Sequence, residues 1–314
     1  MPLLCCPLDQ LSLLRVSGPQ GADLLHAQLS QDFQHGPPEQ ARLAALLNPQ
    51  GRMLADFIAV QLAPQQIGLL LDSSIATAAL QRLSMFVLRL KCTLEDASAQ
   101  WMRRGLLGDT ANDYPASLTP PEQPWSVRRL ENGALLLRLP QVGSGVRCVL
   151  LTERDQPAQA ALQAQLAALP ALSPSQWALQ DLRAGLPHLT AATQQLFVPQ
   201  MINFELIGGV NFKKGCYPGQ EVVARSQYRG TLKRRMYLVS GPAAMQPGQE
   251  LVHATDPGQP CGVVVNAAVD DAGLGWALAE LKIALAEQPG LHLGSVDGPE
   301  LKLGALPYAL GTPD

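Results

Sequence analysis

Charged and aromatic residues are scarce in this sequence. Only 16% of the 314 residues are Asp, Glu, Lys or Arg, 5% are aromatic, and lysine occurs six times. The net charge of −3 excludes a globally basic nucleic-acid-binding protein, although it leaves room for a local basic patch. The apolar fraction of 47% is ordinary, which excludes disorder as the state of the whole chain.

Long hydrophobic runs and cysteine motifs are also absent. No stretch of about 18 apolar residues occurs, so the sequence predicts no membrane-spanning segment. The first residues lack a basic segment and soon reach Asp9, which is not typical of a secretion signal. The six cysteines form no CxxC pair and no Cys/His spacing for metal ligands. We therefore expect a cytoplasmic protein with reduced thiols, no metal site and no membrane partner.

The length predicts about two domains. Apolar spacing predicts helices over residues 22–29, 74–90, 157–169 and 175–184, and strands over residues 42–47 and 53–62 around an Asn-Pro-Gln-Gly turn. After residue 233, short apolar runs separated by Gly, Pro and Asp predict a small all-β module. Cys5 and Cys6 are interpreted as packing residues at a frayed end. We thus predict an α+β region over residues 1–232, followed by an all-β region over residues 233–314.

The most informative segment lies at residues 211–235. Between residues 213 and 235 there are seven basic residues and one acid, Glu221, against 23 Lys and Arg in the whole chain. The same run contains the turn sequence Gly-Cys-Tyr-Pro-Gly at residues 215–219, which places backbone amides and an aromatic ring beside the charges. A charge run is usually a solvated surface, but this combination suits an anionic ligand such as a carboxylate or phosphate.

Cys216 lies inside that turn and has two interpretations. A free cysteine is most often a small buried packing residue. Basic neighbours favour the reactive thiolate form, and a position between glycines favours exposure, so a functional thiol is equally well supported. The nearest histidine in sequence, His188, is far upstream, so a papain-like Cys/His pair is not supported.

The segment resembles the signature of a known family. The residues Lys214-Gly215-Cys216-Tyr217-Pro218-Gly219-Gln220-Glu221 match the pattern K-G-C-F/Y-x-G-Q-E of the YgfZ family. These are folate-binding proteins related to the glycine-cleavage T-protein, an aminomethyltransferase. The flanking residues 197–203, 206–210, 223–225 and 228–230 agree with the family as well, and weaker similarity covers residues 17–18, 47–53 and 183–187.

The resemblance implies a fold and a function. It implies an α+β, T-protein-like ring of domains that contains two interleaved subdomains, with a C-terminal all-β barrel. It implies a cytoplasmic protein that supports the assembly or repair of iron–sulfur clusters in client enzymes, including tRNA-modifying ones. Cys216 would be the thiol on which that activity depends, and tetrahydrofolate or a derivative would be the cofactor. The residues expected to bind it are Lys214, Gly215, Tyr217, Gly219, Gln220, Glu221, Arg225 and Arg229, with Lys213 beside them.

Two departures from the T-protein pattern bear on the activity. The T-protein hairpin carries two aspartates, one of them catalytic, whereas here Ala55 takes the first place and only Asp56 is kept. A glutamate that holds the pterin in T-proteins is matched here by Arg183. Both differences favour a relative that binds folate without aminomethyl transfer. A folate-dependent one-carbon transferase, with Asp56 as its acid, is the alternative, and direct tRNA binding through residues 213–235 is the third hypothesis.

Overall fold

We describe a computed structural model, which covers residues 2–140, 143, 145–230 and 232–311. The strands are β1 (Leu4–Pro7), β2 (Leu11–Ser17), β3 (Arg42–Leu47), β4 (Met53–Ala63), β5 (Gln66–Asp72), β6 (Thr93–Asp96), β7 (Trp101–Gly108), β8 (Val127–Arg129), β9 (Leu135–Arg138), β10 (Val146–Glu153), β11 (Arg234–Gly241), β12 (Glu250–His253), β13 (Asp256–Val269), β14 (Gly275–Lys282), β15 (Leu291–Leu293) and β16 (Lys302–Gly304). The α-helices are α1 (Gly21–Gln28), α2 (Ser73–Ser84), α3 (Ala160–Ala167), α4 (Pro174–Arg183), α5 (Gln220–Tyr228) and α6 (Ile283–Ala286).

The chain divides into two compact units. Unit 1 comprises Met1–Ala27, Asp32–Leu43 and Phe57–Trp177, and unit 2 comprises Gln28–Gln31, Ala44–Asp56 and Ala178–Asp314. Unit 1 contains a sheet of order β1-β7-β10-β9-β8, and unit 2 contains a sheet of order β15-β12-β13-β14-β11-β16. A third sheet has the order β3-β4-β5-β2-β6, and its strands β3 and β4 each include residues of both units.

The mixture of helices and sheets confirms the predicted fold class. In unit 1, leucines and small residues of β7, β9 and β10 form a buried core, with Leu106, Leu136 and Leu150 fully inaccessible to solvent. Cys5 and Cys6 are buried within β1, which pairs with β7, so the expectation of a frayed N-terminal end is wrong. The paired backbone of β1 satisfies its hydrogen bonds while the two thiols fill the core.

Helix α2 ends earlier than its apolar spacing predicts. Asp72 caps its first turn by accepting a hydrogen bond from the backbone N–H of Ser74 at 2.9 Å. The helix stops at Ser84 instead of residue 90, and Leu88 then has a left-handed φ of +34°. A helix cannot continue through such a residue, because a side chain there collides with the backbone. Spacing alone does not reveal this turn.

The predicted C-terminal β region is confirmed as a curled half-barrel sheet. Its inner face buries Val239, Leu251, Val264 and Leu281, which come from four different strands. The short strand β15 lies outside the runs that the sequence predicts. The boundary predicted between residues 232 and 233 stays a prediction. Among the described residues, no helix is both long and apolar enough to cross a bilayer.

Candidate functional site

The turn of the signature packs against the turn of the β3–β4 hairpin within unit 2. Gly219 has a φ of +79° and Gly51 a φ of +75°, a backbone region that disfavours any side chain. A Cβ on Gly219 would lie 2.5 Å from the carbonyl oxygen of Asn48. A Cβ on Gly51 would lie 2.9 Å from the Cβ of Val222. The two glycines therefore allow a close approach of the two turns, which fixes where the signature begins its helix.

Two side chains of the signature point inward and anchor it. The Nζ of Lys214 donates a hydrogen bond to the carbonyl oxygen of Leu29 at 2.9 Å. The same Nζ lies 4.7 Å from the ring centroid of Tyr217, within the range of a cation–π interaction. Only 8% of Lys214 and 6% of Tyr217 is exposed, and burial raises the pKa of the tyrosine hydroxyl to about 12. Gly215 and Cys216, between these anchors, are exposed to solvent.

The anchoring role of Lys214 leads to a prediction of stability. Lys214→Met should lower the free energy of unfolding by about 1–3 kcal/mol, because the carbonyl of Leu29 is left without its charged donor. Lys213→Met, on the exposed neighbour, should change it by no more than about 0.5 kcal/mol. Urea denaturation of both variants provides the measurement. Equal stabilities in the two variants would contradict the anchoring role.

The helix α5 follows the turn and carries the exposed cations. Arg225 donates to the Glu221 carboxylate at 2.8 Å, one helical turn apart, and both side chains are exposed. Arg229 follows the last helical residue and is also exposed. A shallow surface groove of about 260 Å³ is lined by Glu221, Ala224, Arg225, Tyr228 and Arg229. Arg225 and Arg229 thus lie on one surface, whereas Lys214 lies outside it.

Two aromatic side chains contact each other at the end of the same helix. One of them, Phe212, was not singled out by the sequence reasoning. The Tyr228 side chain is 70% exposed, which is unusual for an aromatic residue of this size. Its ring centroid lies 5.8 Å from that of Phe212, with the ring planes at 71°. This edge-to-face geometry holds the Tyr228 ring in place. The consequence is a flat aromatic surface beside Arg225 and Arg229.

Asp56 is buried and already bonded on both carboxylate oxygens. Its Oδ1 accepts a hydrogen bond from the backbone N–H of Leu189 at 2.7 Å, and its Oδ2 lies 3.0 Å from Nδ1 of His188. The other ring nitrogen of His188 lies 3.9 Å from an oxygen of Asp181. Only 2% of Asp56 is exposed. Sequence reasoning missed His188 as its partner because 132 residues separate the two, and no local spacing connects them.

Arg183 is half-buried, and its guanidinium lies over an aromatic ring. Its guanidinium carbon lies 5.7 Å from the ring centroid of Trp276, whose indole N–H donates to Asp270 at 3.0 Å. The hydrogen bonds from Trp276 and from the backbone of Leu274 lower the pKa of Asp270, and the charge of Arg183 adds to that effect. Arg183 therefore packs against Trp276 in this structure.

Among the described residues, no group of three or more His, Cys, Asp or Glu side chains is placed to bind a metal ion.

No protein-family model matches the chain. Among curated proteins, the chain is 28% identical to the tRNA-modifying protein YgfZ of Sodalis glossinidius, covering 99% of this chain and 94% of that protein. It is likewise 28% identical to the tRNA-modifying protein YgfZ of Yersinia pestis, over 99% of this chain and 94% of that protein.

A solved structure shares the fold over nearly the whole chain. It is the glycine cleavage system aminomethyltransferase T from Bartonella henselae, with a TM-score of 0.69, 17% sequence identity, and coverage of 98% of this chain and 87% of that chain. The resemblance first seen in the signature is confirmed by these two comparisons. The chain is thus a relative of the YgfZ proteins, and it has the fold of the glycine-cleavage T-protein.

Proposed function

We propose that this protein binds a reduced folate and supports the assembly or repair of iron–sulfur clusters in client enzymes, including tRNA-modifying ones. The observation that carries the proposal is the position of Cys216. Its thiol is exposed between the buried anchors Lys214 and Tyr217, on the segment that continues into the basic helix α5. A solvent-accessible thiol on a segment rich in basic residues is one that can take part in cysteine chemistry.

The residues around the groove fit the anionic part of a folate. The glutamyl tail carries carboxylates, which would pair with the exposed guanidinium groups of Arg225 and Arg229. The exposed ring of Tyr228 would stack on the flat aromatic part of the ligand. Lys214 would not contact the tail, because its Nζ is buried against the carbonyl of Leu29. A bound tetrahydrofolate would supply a carrier for a one-carbon group.

Cys216 would act on client proteins and would not hold a cluster permanently. A stable iron–sulfur cluster commonly needs four cysteine ligands. Here Cys5, Cys6, Cys148 and Cys261 are buried, Cys92 is half-buried, and Cys216 is exposed. The exposed thiol can bind iron reversibly, or it can attack a disulfide of a partner, so that a mixed disulfide forms while the partner's second sulfur leaves as a thiol. A second exchange of the same kind then releases Cys216. This arrangement supports a role in transfer or repair.

Aminomethyl transfer is less well supported by the geometry. A catalytic carboxylate must reach the proton that it moves. The hairpin's remaining acid, Asp56, is buried, and its oxygens already accept hydrogen bonds from Leu189 and His188. Aminomethyl transfer is therefore the second candidate function.

Direct RNA binding is supported by one specific observation, the aromatic pair of Phe212 and Tyr228. An exposed ring beside cations can stack on an unpaired base. The same groove would then bind a nucleotide in place of the folate. The two ligands differ in the number of phosphates or carboxylates that they present, and therefore in the salt dependence of their binding.

The folate proposal predicts a measurable role for Arg229. Arg229→Gln should weaken the binding of a tetrahydrofolate triglutamate about tenfold, because one charge-assisted hydrogen bond to a carboxylate is lost. Isothermal titration calorimetry provides the measurement. Arg89→Gln, which alters an exposed arginine of unit 1, is the matched control and should bind as the wild type does.

The same titration separates the alternatives. Unchanged affinity in Arg229→Gln would remove the groove from the folate site. A second result would favour the RNA hypothesis over the folate hypothesis. In it, the protein shows no binding of the folate but binds a single-stranded RNA oligonucleotide with an affinity that falls steeply with salt.

A further inference from the structure

A cavity in unit 1 has the composition of a small-molecule site. It has a volume of about 280 Å³ and lies between the start of α1, the loop that leads to β3, and parts of β4 and β5. Its floor is apolar, with Val16, Phe33, Ala59 and Val60 all buried. Its polar lining consists of four glutamines (Gln34, Gln40, Gln61 and Gln65) and one arginine, Arg42, and none of the described residues that line it is acidic. An apolar floor with a few polar groups is typical of ligand sites.

Arg42 places a positive charge in the wall of this cavity. Its Nη1 donates to the carbonyl oxygen of Asp32 at 3.2 Å, and its Nη2 lies 3.5 Å from the carbonyl oxygen of Pro37. Both acceptors are neutral carbonyl groups, and the charge of the Asp32 carboxylate also acts on the guanidinium. Arg42 is half-buried, and this burial lowers its pKa while the charge of Asp32 opposes the shift. A poorly solvated cation gains more from an anionic partner than an exposed one does.

The loop that forms the cavity wall is organised before any ligand binds. The Asp32 carboxylate accepts hydrogen bonds from the backbone N–H groups of Gln34 and His35 and lies within 3.0 Å of the ring nitrogens of His26 and His35. Gly36 has a φ of +106°, and a Cβ there would lie 2.7 Å from Nη2 of Arg42. The loop is therefore shaped closely around the guanidinium. A preformed wall reduces the entropy that binding must overcome.

We propose that this cavity binds a small organic carboxylate with an apolar body, whose carboxylate pairs with Arg42 and whose apolar part lies on the floor formed by Val16, Phe33 and Val60. Each glutamine amide carries two N–H donors. Gln34 uses one of them on Asp23 and Gln61 uses one on the carbonyl of Ala63, so the other N–H donors of the lining would serve the remaining carboxylate lone pairs. The volume limits the ligand to a molecule smaller than a drug-sized compound. This site is independent of the folate proposal, since no residue of the 211–235 segment lines it.

Benzoate is the probe, and benzamide is its uncharged counterpart. Titration of the full chain, followed by the amide NMR signals of Ala22, Gly36 and Gln65, should show saturable binding of benzoate and at least about tenfold weaker binding of benzamide. Arg42→Gln should weaken benzoate binding about tenfold, whereas Arg89→Gln should leave it unchanged. Ala22→Leu, which fills the cavity without altering any charge, should abolish it.

Circular dichroism establishes that each variant is folded. If Arg42→Gln does not fold, Ala22→Leu still decides the matter. Equal binding of benzoate to Ala22→Leu and to the wild type would overturn the proposal. So would the absence of any shift in the signals of the cavity residues at about 10 mM benzoate, a concentration ten times a millimolar Kd.

Discussion

Cys216→Ala is expected to abolish the restoration of iron–sulfur enzyme activity in cells that lack this protein, while the variant folds normally. The side chain is exposed, and its removal creates no cavity, so the free energy of unfolding should change by no more than about 1 kcal/mol. The measurement pairs an iron–sulfur enzyme assay in such cells with urea denaturation of the purified variant. Full complementation by Cys216→Ala would end the thiol proposal, even if the folate site is real.

Alkylation provides an independent check on the same thiol. Burial raises the pKa of Cys5, Cys92 and Cys261, and it raises that of Cys148 to about 12. Near neutral pH these groups react slowly, because the thiolate is the nucleophile. Iodoacetamide should therefore modify Cys216 first, and Cys216→Ala should lack the fast phase. A fast phase that persists in the variant would place the reactive thiol elsewhere.

Gly219→Ala is expected to destabilise the protein by about 2–5 kcal/mol. The left-handed backbone at this glycine costs an alanine about 1–2 kcal/mol. The new methyl group also meets the carbonyl oxygen of Asn48 at 2.5 Å, and forcing such a contact apart costs about 1–3 kcal/mol more. Thermal or urea unfolding provides the measurement.

The chain offers a matched control for this variant. Gly208 has a similar φ of +84°, but a Cβ there would meet nothing within 4 Å. Gly208→Ala should therefore show the conformational cost alone, about 1–2 kcal/mol. Equal losses in the two variants would mean that the turns of the hairpin and the signature do not depend on their close approach.

Local patterns predict the parts of this fold that depend on neighbours in sequence. The β3–β4 hairpin follows from its Asn-Pro-Gln-Gly turn between two apolar runs, and most C-terminal strands follow from Gly, Pro and Asp spacing. The short strand β1 does not follow, because its four residues carry no periodicity and gain their structure from pairing with β7. The existence of a strand is then decided by a partner about 100 residues away, as with Cys5 opposite Leu106.

The candidate site also has features that local sequence predicts and features that depend on residues distant in sequence. Exposure of Cys216 and clustering of Arg225 and Arg229 follow from a glycine-flanked turn and from helical spacing. Charge counting treats Lys214 as one more surface cation, whereas Leu29, far away in sequence, accepts its hydrogen bond in the interior. The pairing of Asp56 with His188 is equally invisible to any local pattern.

The anchoring of the signature has a consequence for how such motifs are used to recognise proteins. Lys214, Tyr217 and Gly219 are required by packing, since they fill the interior or permit the contact with Asn48. A chain that keeps these three residues but carries serine or alanine in place of Cys216 would build the same turn. Similarity across the motif is therefore a record of shared architecture, and the proposed chemistry would rest on one exposed sulfur atom, which can be replaced without loss of structure.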